Sequence, residues 1–296
     1  MTNIFKSFRY LFAFMATTLL LSLTFTLPAS ASQPKIFSNI SYVSGSSLTE
    51  QTLDIYTPQE EAGPYPVLIF VHGGAWHVGD KKIVTPEIAR SYTDQGIIVV
   101  SLNYRLSPEY KHPAHVKDLA AASEWIANNI GEYGGDVKKM VLVGHSAGAH
   151  LIALLATNPL YLSTHNLPAT MFNCVVPVDT TNFDLTQPQQ GKRAQLIQHY
   201  RDETFGKQKG KLVDASPTLL VKKGKRYPPF FLYVTAERPE AVKETRIFAT
   251  TLEKSGNFAR NITIDKGLTH RDMGQAIFDP RSKIYKDIMG VFGKRL

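Results

Sequence analysis

A chain of 296 residues with a single cysteine, Cys174, cannot build an internal disulfide framework, so its fold has to be held by a core. That cysteine lies in the apolar run Cys174-Val175-Val176-Pro177-Val178 and is expected on a buried strand. Internal repeats, low-complexity tracts and a second linker are also missing, which excludes repeat architectures. With 43% hydrophobic and 20% charged residues, the composition is that of one large globular domain with a substantial core. Acidic residues are the scarcer charge, 25 against 33 basic, for a formal net charge of +8. Much of the excess lies in Lys207, Lys209, Lys211, Lys222, Lys223, Lys225 and Arg226. A solvated loop face is the expected role of this cluster, with attraction to an anionic surface or substrate as the alternative. No stretch resembles a nucleic-acid module.

Lys6 and Arg9 precede a mostly apolar run from Tyr10 to Leu27, followed by Ala29-Ser30-Ala31. This pattern predicts a secretory signal peptide over residues 1–31, cut after Ala31, with the globular domain over 32–296. A retained anchor is the alternative, because the run is close to membrane-spanning length. No cysteine stands directly after the run, so lipoprotein processing is not supported, and removal of the leader would leave no membrane span.

Past the leader, Ile40 to Val43 and Leu53 to Tyr56 are expected as short strands joined by a polar turn. Pro66 to Val71 is a continuous apolar run, as expected of a strand buried on both faces. A helix near Pro86 to Gln95, a strand over Ile97 to Leu102 and a helix over His115 to Asn129 follow. Alternation of buried strands with helices argues for a mainly parallel α/β sheet.

Two glycine-rich turns carry the chemistry. Val141-Leu142-Val143 runs into Gly144-His145-Ser146-Ala147-Gly148 and then, without a spacer, into the helical segment Ala147 to Thr157. A strand, a sharp turn and a helix would strain Ser146, demand small neighbours and set its hydroxyl at the positive helix N-terminus, as a nucleophile requires. His72-Gly73-Gly74-Ala75-Trp76 directly follows the buried run Pro66 to Val71. Adjacent glycines there can turn backbone N–H groups into a cavity, making Gly73, Gly74 and Ala147 the candidate oxyanion hole.

These motifs occur in one order with Gly79-Asp80-Lys81, Tyr104-Arg105-Leu106-Ser107-Pro108-Glu109 and Glu132-Tyr133-Gly134-Gly135-Asp136. Together they resemble the α/β-hydrolase superfamily, within the His-Gly-Gly esterase and lipase group that also includes kynurenine formamidases. The resemblance implies a mainly parallel eight-stranded sheet flanked by helices. It also implies a small cap, which the polar stretch 180–227 would form, with the helix-like segment Ala194 to Tyr200 inside it.

The superfamily's chain order is serine, acid, histidine. After His199 only His270 remains, so it is the expected base, in a loop after the strand Asn261 to Ile264. His72, His145 and His150 are expected to serve their own motifs, with His145 facing away from Ser146 because neighbours on a strand alternate. His165 and His199 fall in the expected cap region and are read as solvated. The acid should follow the strand Pro229 to Val234. Formamidase-like relatives place Asp-x-Pro-Glu there, and in Glu237-Arg238-Pro239-Glu240 the Asp position is held by Glu237. Glu237 is therefore the expected acid and Glu240 its rival. The expectation is an exported, periplasmic or secreted serine hydrolase of small to medium acyl esters, needing no metal or organic cofactor. An arylformamidase or amidase and a non-catalytic binding protein on the same fold are the alternatives.

Overall fold

The computed structural model describes residues 33–60, 63–191, 193–264 and 267–293. The expected leader and its cleavage after Ala31 lie outside the described residues. Eight strands form one sheet: β1 Lys35–Ser41, β2 Thr52–Thr57, β3 Tyr65–Val71, β4 Ile98–Leu102, β5 Gly135–His145, β6 Cys174–Val178, β7 Phe230–Thr235 and β8 Ala259–Ile264. Their order is β1-β2-β4-β3-β5-β6-β7-β8. The two pairings of β2, with β1 and with β4, are antiparallel, and the others are parallel.

The continuous apolar runs become central strands because both of their faces are covered. Along β3, Val67, Ile69 and Val71 enter one core, while Leu68 and Phe70 enter the other. The helices, in chain order, are α1 Pro86–Thr93, α2 Ala114–Asn129, α3 Ala147–Thr157, α4 Pro159–Ser163, α5 Ala194–Phe205, α6 Lys209–Asp214, α7 Pro217–Leu220, α8 Pro239–Lys254, α9 His270–Ala276 and α10 Lys283–Val291. On the first face lie Leu119 of α2, Leu151 of α3 and Phe248 of α8. Tyr92 of α1, Met273 of α9 and Ile288 of α10 cover the second. Cys174 is buried on β6 and free.

The first strand lies earlier than its apolar residues suggest. Ile40 to Val43 was the expected span, but pairing with β2 starts at Lys35↔Thr57 and is broken by a bulge between Phe37 and Ile40. As an edge strand with mostly exposed side chains, β1 carries no alternating hydrophobic signal. The seven basic residues between Lys207 and Arg226 are all exposed. Among the described residues, no helix is long and apolar enough to cross a membrane.

Lys81 of Gly79-Asp80-Lys81 and Arg105 of Tyr104-Arg105-Leu106 act as fasteners to buried carboxylates. Lys81 is 2% exposed, and its Nζ donates to Asp54 Oδ1 and Asn39 Oδ1, each at 2.8 Å. The Arg105 guanidinium grips Asp118 through Nε and Nη2, while Gln51 donates to the same carboxylate. A buried carboxylate that loses its only cation keeps its desolvation cost without the compensating attraction. Lys81→Met is expected to lower unfolding free energy by roughly 3–5 kcal/mol, read as an earlier midpoint in urea.

Candidate active site

Parallel strands deliver their carboxyl ends to one edge of the sheet, where loops have room to converge. Five neighbouring strands do so here. β3 ends at His72-Gly73-Gly74, β5 at Ser146, β6 at Asp179 and β7 ahead of Arg238, while the segment after β8 leads to His270.

Ser146 occupies the turn between β5 and α3 with φ 56° and ψ −114°, a conformation that strains any residue with a side chain. Its amide donates to Val178 O at 2.9 Å, tying the turn to β6. Gly148 allows α3 to start against β3, since a Cβ on it would come within 2.2 Å of Val71 O. Gly74 has φ +113°, and a Cβ there would meet Val78 O at 1.8 Å. A Cβ on Gly73 would lie 3.1 Å from the Ser146 Cβ, so the double-glycine backbone runs directly beside the serine. Ala147 is the first residue of α3 and is buried.

His270 is the first residue of α9 rather than part of a loop. Thr269 caps the helix: its hydroxyl accepts the Asp272 amide, and the Asp272 carboxylate accepts the Thr269 amide. The preceding segment is tied down by Thr235 Oγ1, which donates to Leu268 O at 2.6 Å. This places His270 Nε2 3.0 Å from Ser146 Oγ.

The carboxylate that meets His270 belongs to Asp179, not to Glu237. Asp179 Oδ2 lies 2.5 Å from His270 Nδ1, and the Asp179 side chain is fully buried. The backbone of Asp179 is held at φ 55°, and its amide donates to Tyr233 O at 2.8 Å. Glu237 is exposed, because the chain turns after Thr235 and directs the next inward side chain, Arg238, at the histidine. Glu240 stands behind Arg238, its Oε1 3.8 Å from the guanidinium Nε. Both carboxylates expected to serve His270 are thus displaced by an aspartate one strand earlier. The available signal was an aspartate ending the buried run Cys174 to Val178, on the strand beside the one that carries Ser146.

Burial alone would raise the Asp179 carboxyl. The His270 hydrogen bond and the Arg238 guanidinium outweigh it and hold the group below the usual carboxylate range. An ionised carboxylate this close to Nδ1 requires the ring proton on that nitrogen, leaving the Nε2 lone pair facing Ser146. His145 was expected to turn away and serve its own motif. Its ring instead lies 4.6 Å from the His270 ring, and its Nε2 donates to His270 O at 2.8 Å. The positive-φ turn at Ser146 takes that residue out of strand alternation, which removes the basis for assigning them opposite faces.

His72 stays with its motif, stacked on Tyr104. His165 lies outside the cap and meets Glu124 of α2 at 2.6 Å, whereas the exposed His199 pairs with Glu203 along α5. His150 is fully buried: it accepts from Trp76 Nε1 at 3.2 Å and donates through Nε2 to Ala215 O at 2.8 Å, joining α3 to the chain after α6. Among the described residues, no group of three His, Cys, Asp or Glu is arranged to hold a metal ion.

A mainly parallel eight-stranded sheet with a strained serine turn at its carboxyl edge defines an α/β-hydrolase of the esterase and lipase group. Residues 53–244 match the BD-FAE family model, and the chain belongs to that family. It is 33% identical over 144 residues to carboxylesterase NlhH of Mycobacterium tuberculosis, covering 46% of this chain and 45% of that protein. The chain therefore spans less than half of that curated relative. Among solved structures, esterase B from Lactobacillus rhamnosis superposes with a TM-score of 0.75 at 19% identity, covering 89% of this chain and 85% of the other. A truncated carbohydrate esterase from gut microbiota gives 0.72 at 22% identity, over 90% of this chain and 98% of that one.

The buried histidines predict acid lability. Burial lowers His150 and His115 from 6.5 to about 3, so the folded state keeps both neutral where the unfolded chain binds protons. Their contribution is fully present above pH 6.5 and is lost progressively as pH falls towards 3, by about 1.4 kcal/mol per pH unit for each ring. His150→Gln, which cannot titrate, is expected to flatten the pH dependence of urea stability by one such increment.

Proposed function

We propose that this protein is an exported serine esterase whose nucleophile, base and acid are Ser146, His270 and Asp179. The contact chain from Ser146 Oγ to His270 Nε2, at 3.0 Å, and from Nδ1 to Asp179 Oδ2, at 2.5 Å, is the observation that carries the reading. In it, His270 takes the Ser146 proton as the hydroxyl attacks an ester carbonyl. Asp179 fixes the tautomer and stabilises the imidazolium. The tetrahedral oxyanion is held by backbone N–H groups of Gly73, Gly74 and Ala147, beside the serine and at the positive end of α3. His270 then returns the proton to the leaving alcohol, and water repeats the sequence on the acyl-enzyme.

Membership of the BD-FAE family and the likeness to a carboxylesterase support an ester as substrate. Export rests on Lys6, Arg9, the apolar run and Ala29-Ser30-Ala31. The formamidase alternative loses the feature that suggested it, because Glu237 is exposed and Arg238 occupies the inward position.

A panel of p-nitrophenyl esters from acetyl to long acyl chains tests the reading. Turnover is expected to fall with chain length and to drop on the order of a millionfold in Ser146→Ala. Asp179→Asn is expected to cost about ten-thousandfold, while Glu237→Gln stays near the parent. Near-normal turnover in Asp179→Asn would remove the proposed acid. A parent that turns over no ester and resists an organophosphonate serine probe would leave the chain a binding protein.

A further inference from the structure

Resting on the triad reading above, we propose that Arg238 is a positioning residue that holds the Asp179 carboxylate on His270 and counterbalances its charge, setting the acidity range in which the base works. Arg238 Nη1 donates to Asp179 Oδ2 at 2.9 Å and to Asp179 O at 3.3 Å, and the same nitrogen stands 2.8 Å from His270 Nδ1. A guanidinium nitrogen only donates, and Nδ1 already carries the proton shared with Asp179, so Arg238 has no hydrogen bond to give the ring. Its hydrogens go to the aspartate, and its positive charge is left against the imidazole edge.

That arrangement has two consequences. Asp179 is gripped from both its backbone carbonyl and its carboxylate, which restricts rotation of the side chain that orients the base. A carboxylate acting alone would also leave its negative charge uncompensated against the ring. A fixed cation at the same edge opposes this.

The groups facing His270 are few. From β5 come Ser146 and His145, from β6 Asp179, and from the segment before α8 Arg238 with Glu240 behind it, while Arg271 and Asp272 flank it on α9. Burial lowers His145 to about 4, so it is neutral through the working range. Glu240 pairs with the guanidinium Nε at 3.8 Å, on the side away from the ring, and Asp272 is engaged in capping the helix. Asp179 and Arg238 are therefore the two charges in contact with the ring.

The test compares the parent with Arg238→Met, Arg238→Gln and Arg238→Lys. Two rates are followed across pH: kcat/KM on p-nitrophenyl acetate, and the rate constant for phosphonylation of Ser146 by an organophosphonate, read by mass. The acid limb is expected to move to higher pH by about one unit in both neutral variants and to stay with the parent in Arg238→Lys. On the neutral ester, kcat should fall by about tenfold in the neutral variants with KM little changed, because Arg238 orients the base rather than binding substrate. A limb that stays in place in the neutral variants, or one that moves equally in Arg238→Lys, would overturn the proposal. Because a rate constant is read per reactive site, partial unfolding lowers the labelled amount without moving the limb. If the parent is phosphonylated but turns over no ester, the substrate reading fails while the phosphonylation profiles still decide the role of Arg238.

Discussion

The contact between Asp179 and His270 is the constraint on which the site depends. A serine hydroxyl is a poor nucleophile until a base is held against it in the correct tautomer, and that tautomer is set by what faces the other ring nitrogen. Here a buried carboxylate faces it at 2.5 Å, so the Nε2 lone pair is aimed at Ser146 without help from solvent. Backbone bonds fix both partners. The Asp179 amide is tied to β7 through Tyr233 O, and the segment leading to His270 is tied to the same strand through Thr235. Bonds to β7 thus hold both Asp179 and the residues just before His270.

Burying a carboxylate is costly unless its charge is answered, and the fold answers three of them with a specific cation or donor set. Asp54 is met by Lys81, Asp118 by Arg105 and Gln51, and Asp179 by His270 and Arg238. The first two pairs anchor the segments that follow β3 and β4 and explain why the Gly-Asp-Lys and Tyr-Arg-Leu stretches accompany the serine turn. They are structural supports for the edge on which the chemistry is assembled. The uncharged counterpart is His150, whose two ring nitrogens link Trp76 to the carbonyl of Ala215 and so couple the double-glycine segment to the base of the cap.

Legibility in the sequence followed the range of each interaction. Ser146, Gly73, Gly74 and Ala147 belong to contiguous motifs whose geometry is dictated by neighbours in the chain, and the continuous apolar runs placed the central strands within a residue or two. The edge strand β1 was misplaced because one paired side leaves its side chains exposed and its pattern mute. His270 stood out through chain order, but its position on a capped helix depended on the Thr269 and Asp272 pair, whose pattern is weak in isolation. His145 was missed because strand alternation fails at the positive-φ serine.

The acid was hardest to place, for a geometric reason. β6 and β7 are neighbours in a parallel sheet, and the carboxyl ends of both reach the same imidazole edge, so a carboxylate from either can occupy the position against Nδ1. Local sequence does not distinguish the two. The pair has to be read together: a carboxylate at one strand end leaves the other free to carry a residue of the opposite charge. Arg238 is that residue, lying between two glutamates that sequence pattern alone would favour. Once the Asp179 side chain is fully buried, a second carboxylate at the end of β7 would repel it across a few ångströms, whereas a guanidinium stabilises it. Arg238, at the unspecified position of the Glu237-Arg238-Pro239-Glu240 stretch, is thus the complement of a carboxylate supplied from the neighbouring strand.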